Sequence, residues 1–383
     1  MTGNAVIPDT RPAGTAIHLP GLNGLRAIAA LAVVFSHITL ALGEFGLNPF
    51  ILGATKDGKP QSLNLAAFGV SIFFALSGFL ITFLLLKEKE VKPVNIKNFY
   101  VRRVLRIWPL YYGYFILCII TLLAYSIPFN KTAVVFYTLL AANVPFIADT
   151  AMPLLAHYWS LGVEEQFYAF WPWVVKKLDT NLLKIVATAT VVLILLRVLF
   201  RLLEIKYAIH LPYKIITVTR FQCMLIGAVG AILYYQKNKA FLNIVTHVLL
   251  QLAAWGVIVL LALNQFRVPS FIDNEIVSAA TVVIIIGQIT GKNKLVNLEN
   301  RACDFIGKIS YGIYVIHPLL IFLMAKLIGK LNNKGALSYV LVYVLLTAVT
   351  ITIAYLSYTY FEKPFLKIKQ RFTVIKSSAS KTE

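Results

Sequence analysis

Arg26 and His37 lie eleven positions apart in the apolar run from Gly24 to Leu42, GLRAIAALAVVFSHITLAL. In an α-helix that separation is three turns plus about 20°, so both side chains occupy one face, roughly 16 Å apart along the axis. Ionisable groups in such a helix are costly in lipid and turn toward a bundle interior, a cavity or a partner. A guanidinium at one end of the stripe can hold an anion. An imidazole further along can move a proton or act as a nucleophile. The spacing predicts a site that anchors charge at one depth and does chemistry at another.

Other residues could serve the same site. In FYVRRVLRIWPLYY, Arg103 and Arg106 are three apart and adjacent on a helical surface, whereas Arg102 points elsewhere. The pair suits bidentate phosphate recognition; a positive anchor beside the Trp108, Tyr111 and Tyr112 interfacial belt is the alternative. In HYWSLGVEEQFYAFWPWVV, Glu164 and Glu165 project about 100° apart from one helix. Ser160, Glu164 and Tyr168 form an i, i+4, i+8 polar stripe, while Glu165 is flanked by Leu161 and Ala169. Glu164 is therefore the inward candidate, able to orient His37 or another polar group, with a structural ion pair to an arginine as the alternative. SYGIYVIHP places Ser310, Tyr314 and His317 on one face ahead of a kink at Pro318; there the plainer reading is a hydrogen-bonded interior histidine. Glu362 reads as a helix-end or pairing residue.

His18, His157, His210 and His247 fall at expected interfaces or loops without metal-ligand spacing, so no metal site is predicted. Cys118, Cys223 and Cys303 are scattered and read as packing residues rather than a disulfide framework. Walker, GxGxxG, GxSxG and HExxH patterns are absent, which argues against nucleotide hydrolysis and zinc chemistry.

The elements that must position these residues are membrane helices. The 383 residues are 59% hydrophobic and 14% charged, with mean hydropathy +0.76, values that exclude an ordinary soluble domain. We read an all-α polytopic membrane bundle of about ten transmembrane helices, near residues 21–43, 65–87, 106–127, 157–176, 182–202, 214–235, 243–264, 274–291, 305–329 and 337–361. The run from Ala133 to Ile147 is an eleventh candidate, short and interrupted by Asn143 and Pro145. Ten spans with both termini cytoplasmic put two thirds of the 36 basic residues inside, whereas an eleventh span leaves no bias, so ten are preferred. The polar start of the chain is expected to hold no cleavable signal, the first helix serving as its own insertion signal.

The expected organisation is a cytoplasmic segment over 1–20, one membrane domain over 21–365 and a basic cytoplasmic tail over 366–383. The second helix carries Ser71, Ala75, Gly78 and Thr82 on one face, the small-residue pattern of close helix packing. The formal charge of +20 lies between the apolar runs and at the C-terminus, where anionic lipid accounts for it; no nucleic-acid partner is expected.

The chain resembles the acyltransferase 3 family, integral-membrane enzymes that O-acylate bacterial surface polysaccharides. The resemblance rests on GLRAIAALAVVFSH, FGVSIFFALSGFLIT, FYVRRVLRIWPLYY, HYWSLGVEEQFY, ISYGIYVIHP and YFEKP, in family order from residue 20 to 365. Residues 182–301 match only as hydrophobic spans. The resemblance implies an acyl-CoA donor, usually acetyl-CoA, as co-substrate with no bound cofactor. It implies an acceptor hydroxyl on a cell-surface or lipid-linked glycan, and a multi-pass inner-membrane location. It also implies functional positions at Arg26, His37, Arg103, Arg106 and Glu164. On this reading His37 and Glu164 are catalytic, Arg26, Arg103 and Arg106 bind acyl-CoA, and Ser160, Tyr168, Tyr314 and His317 support them. Some members carry a fused SGNH-type domain. None is recognised in these residues, so the chain is expected to act alone or with a separate partner. A transporter or flippase using the same Arg, His and Glu as a relay is the rival reading; a structural scaffold is a third.

Overall fold

The computed structural model describes residues 17–55, 57–178, 180–331, 335–375 and 377–378. Most of the expected 1–20 segment and the end of the 366–383 tail lie outside these. The chain folds as a helix bundle: α1 (Leu22–Ala41), α2 (Asn64–Val91), α3 (Ile96–Ala124), α4 (Lys131–Thr138), α5 (Asn143–Ile147), α6 (Trp159–Lys177), α7 (Leu182–Tyr207), α8 (His210–Thr219), α9 (Phe221–Tyr235), α10 (Lys239–Val245), α11 (Val248–Ala262), α12 (Asp273–Thr290), α13 (Arg301–Ile328), α14 (Ala336–Leu356) and α15 (Lys363–Gln370). Among the described residues the named strands are Ile17–His18 and Ser377–Ser378, paired in parallel.

Among the described residues eight helices are long and apolar enough to cross a membrane, or nine if the bent pair α10 and α11 is one span. The chain is thus a polytopic membrane protein. The count falls short of ten at α6, which carries Glu164, Glu165, Gln166, Lys176 and Lys177 in 19 residues. That helix is held by packing: Phe167, Trp171 and Val175 are buried against α2 and α9 residues such as Leu85 and Met224. Residues 133–147 form α4 and α5, of eight and five residues, each too short to span. The expected 214–235 helix is broken at Arg220, whose φ of +44° separates α8 from α9.

Close packing fixes the relative heights of the helices. A Cβ on Gly78 would lie 1.9 Å from the Met224 carbonyl oxygen, and one on Gly227 would lie 2.0 Å from that of Ala75. Backbone meets backbone here, so α2 and α9 share a contact that only glycine permits. Gly78→Leu is expected to destabilise the protein by at least ~3 kcal/mol, the upper range for overpacking. Thermal unfolding of purified protein in detergent, followed by tryptophan fluorescence, checks this.

The amide of Leu63 donates to Ser36 Oγ at 3.2 Å, so the start of α2 sits beside the end of α1 and the two run antiparallel. α13 runs parallel to α1: Asn23 donates to Asp304 at 3.3 Å at one end, and His37 meets His317 at the other. The start of α1, the end of α2 and the start of α3 therefore share one end of the bundle. At that end Arg102 donates to Glu88 at 2.7 Å and to the Phe372 carbonyl at 2.9 Å, which ties the segment after α15 to α2 and α3. Both side chains are largely buried. Arg102→Ala strands a buried carboxylate and is expected to cost about 3–5 kcal/mol, read as a lowered Tm.

Candidate active site

Three arginines converge where α1, α3 and α6 meet. Arg26 lies within electrostatic range of Arg103, Arg106, Glu164 and Tyr168. Among the described residues none of these arginines has a carboxylate at ion-pair distance. Arg26 makes one long hydrogen bond, to Asn23 Oδ1 at 3.4 Å. Arg103 Nε is buried without an acceptor while the guanidinium lies over Phe99 and Tyr168, 5.7 and 5.4 Å from the ring centroids. Lys369, on α15, is within range of Arg26, Arg102, Arg103 and Arg106. Such a concentration of cations, with carboxylates within electrostatic range but none at ion-pair distance, is a ready anion site. The sequence reading placed Lys369 only in the basic tail; its contribution comes from α15 folding back along α3.

The acid beside this cluster is Glu164, which accepts short hydrogen bonds from Ser77 of α2 and from Tyr168 one turn along α6. The Glu164–Tyr168 stripe is thus a bonded unit. The structure does not bring Glu164 to His37; the carboxylate orients two hydroxyls instead. Glu165 accepts from Trp108 Nε1 at 3.2 Å and leaves its other oxygen buried without a donor.

Further along the bundle the histidines gather. His37 Nδ1 lies 2.6 Å from His317 Nε2, the rings meeting end to end with centroids 4.8 Å apart and planes inclined by 30°. His317 Nδ1 is 3.1 Å from the Ile313 carbonyl, one turn back on α13. His157 completes the group, its ring 5.3 Å from that of His317 and its Nε2 3.0 Å from the Val315 carbonyl. The Ser160 and Tyr314 hydroxyls are 2.6 Å apart and both converge on the His157 carbonyl. Sequence reading had set His157 aside as an interface residue; its position directly before WSLGVEEQF, beside Ser160, was the available signal. Among the described residues no group of three His, Cys, Asp or Glu side chains is placed to hold a metal ion, so the histidines are read through their hydrogen bonds. Ser310 caps back onto its own helix at the Gly307 carbonyl and takes no part.

A second buried network was hidden in the spans that carry no motif. Arg197, 1% exposed, donates to Glu275 at 2.5 Å and to Asp273 at 2.7 Å, and Gln222 donates to Glu275 at 2.9 Å. Arg220, at the α8–α9 break, reaches Ser71 Oγ at 3.2 Å and lies 5.3 Å from the centre of the Trp159 ring. The signals were single arginines inside apolar runs, but their partners are 76 and 149 positions distant.

The site thus combines cations that lack a direct carboxylate partner at one end of a membrane helix bundle with paired imidazoles deeper along α1. The chain belongs to the acyltransferase 3 family: residues 19–359 match that family's acyltransferase domain. Among curated relatives, a Staphylococcus aureus (strain COL) protein named by inference as an O-acetyltransferase is 28% identical over 381 residues, covering 91% of this chain and 58% of its own length. O-acetyltransferase OatA of Staphylococcus aureus (strain NCTC 8325) is 26% identical over 380 residues, covering 91% of this chain and 57% of that protein. The chain thus spans little more than half the length of these relatives. No solved structure matches it.

Proposed function

We propose that this chain moves an acyl group, acetyl in the simplest case, from acyl-CoA to a hydroxyl of a cell-surface or lipid-linked glycan. The observation that carries the reading is the pairing of Arg26, Arg103 and Arg106, free of carboxylate partners, with His37 on the same face of α1. The excess of Lys and Arg between the apolar runs supports a cytoplasmic arginine end, with the chain in the membrane that bounds the cytoplasm. There the arginines, with Lys369, hold the phosphates of coenzyme A as charge-assisted hydrogen bonds. The uncharged pantetheine arm can then extend the roughly 16 Å between Arg26 and His37, so that charge stays at the mouth and only the thioester goes deep.

At the thioester, His37 Nε2 takes the proton of the acceptor hydroxyl as its oxygen attacks the acyl carbon. The C–O bond forms, the C–S bond breaks, and the departing thiolate recovers the proton from the imidazolium to leave as coenzyme A thiol. Glu164, fixed by Ser77 and Tyr168, contributes a negative charge beside the arginines. It offsets part of their mutual repulsion when no donor is bound. The acetyl group is supported by the names of the relatives; the glycan acceptor is supported by the family resemblance.

Purified protein in liposomes tests the reading. Acetyl-CoA consumed only when surface glycan is supplied, with acetylated glycan found by mass spectrometry, is the expected result. Glycan translocated without acyl-CoA consumption would instead establish a flippase.

A further inference from the structure

The hydrogen bonds around His317 determine which nitrogen of His37 is reactive. A backbone carbonyl can only accept, so His317 Nδ1, 3.1 Å from the Ile313 oxygen, carries that ring's proton. With one proton per ring, His317 Nε2 is then a bare lone pair. The 2.6 Å contact between His317 Nε2 and His37 Nδ1 is a hydrogen bond only if His37 Nδ1 bears the proton. His37 Nε2 is left unprotonated, and among the described residues it has no protein partner. His157 donates from Nε2 to the Val315 carbonyl at 3.0 Å, and among the described residues no hydrogen bond joins it to His37 or His317.

We infer that His317 is a positioning residue that holds His37 in the Nδ1-protonated tautomer and presents His37 Nε2 as the lone pair that meets the acceptor hydroxyl. This rests on the proposed role of His37. When Nε2 takes a proton, the Nδ1–H already points at a lone pair, so the imidazolium keeps its hydrogen bond without reorganising. His317 occupies the place a carboxylate holds in a serine hydrolase triad. A neutral imidazole there avoids burying a second charge beside the one that forms. The two rings meet end to end, with centroids 4.8 Å apart and planes inclined by 30°, so the hydrogen bond lies near both ring planes and fixes the direction in which Nε2 points.

Two measurements test the inference on the full chain. In the protein labelled with 15N-histidine, with His37→Ala used to assign the signals, His37 is expected to show a protonated Nδ1 and a bare Nε2. The opposite tautomer overturns the inference. In acetyl-CoA turnover with surface glycan, His317→Ala is expected to lower kcat by on the order of 100-fold with KM for acetyl-CoA unchanged. His317→Gln places an amide oxygen where Nε2 sat and is expected to recover kcat to within about tenfold of wild type. Variants are compared only at matched Tm, and if the alanine variant does not fold, the glutamine variant and the spectrum carry the test. A wild-type kcat in His317→Ala, or a glutamine variant as impaired as a folded alanine variant, overturns the inference. Full activity in His37→Ala instead removes the proposed role of His37, while the spectrum still reports the tautomer by itself.

Discussion

His37→Ala is expected to lower acyl transfer by about 10²–10⁴-fold, the range for loss of a general base, and by more if the imidazole also carries the acyl group. The loss falls in kcat, because the charged part of the donor is held roughly 16 Å away at the arginine cluster. Acetyl-CoA affinity, read by equilibrium binding to detergent-purified protein, should stay within about threefold of wild type, since the contacts that hold the donor's charge are left in place. His37 is half-buried at the His317 contact, and alanine removes one hydrogen bond without stranding a charge, so the variant should fold. Wild-type turnover in the folded variant would remove His37 from the chemistry.

The opposite kinetic pattern is expected at the other end. Arg103→Ala and Arg106→Ala each remove hydrogen bonds to a charged group, about 1.5–3 kcal/mol apiece, which raises KM for acetyl-CoA by roughly 10- to 150-fold. kcat at saturating donor should change little, because these contacts are made equally in the ground and transition states. The two arginines neighbour each other on α3 and share one anion, so the double variant should lose less than the product of the two effects. The penalty must depend on phosphate. S-acetylpantetheine, which keeps the arm and lacks the phosphates, should bind wild type and variants alike. An equal penalty with both donors would show that the arginines act on the fold rather than on the donor. Neither arginine has a carboxylate partner among the described residues, so neither substitution leaves an acid stranded, in contrast to Arg102→Ala.

Much of the site was legible before any tertiary information. The Arg26–His37 spacing, the Arg103–Arg106 pair and the Ser160–Glu164–Tyr168 stripe are periodicity arguments within one helix. Rise and twist per residue decide them, and lipid makes each ionisable residue in an apolar run conspicuous. The small-residue face of α2 was legible for the same reason, and its partner face on α9 closes through Gly227.

What one helix could not supply was the partner across the bundle. Glu164 was a reasonable candidate to orient His37, yet the heights set by Leu63 against Ser36 and by Ser77 against Glu164 place the carboxylate with the arginines and leave the imidazole to His317. The Arg197 cage with Asp273 and Glu275 was equally hidden, since its members are scattered through spans without motifs. Among the described residues α6 does not count among the helices apolar enough to span, because its two glutamates, held by Ser77, Tyr168 and Trp108 of the bundle, and its two exposed lysines in the last turn lower its hydropathy. Composition and local periodicity thus determined that this chain crosses a membrane, which helices carry polar stripes and which family it resembles. Contacts between residues of different helices, from 27 to 280 positions apart, decided which stripe meets which. Those depend on where backbone can touch backbone, as at Gly78 and Gly227, a property no single helix possesses.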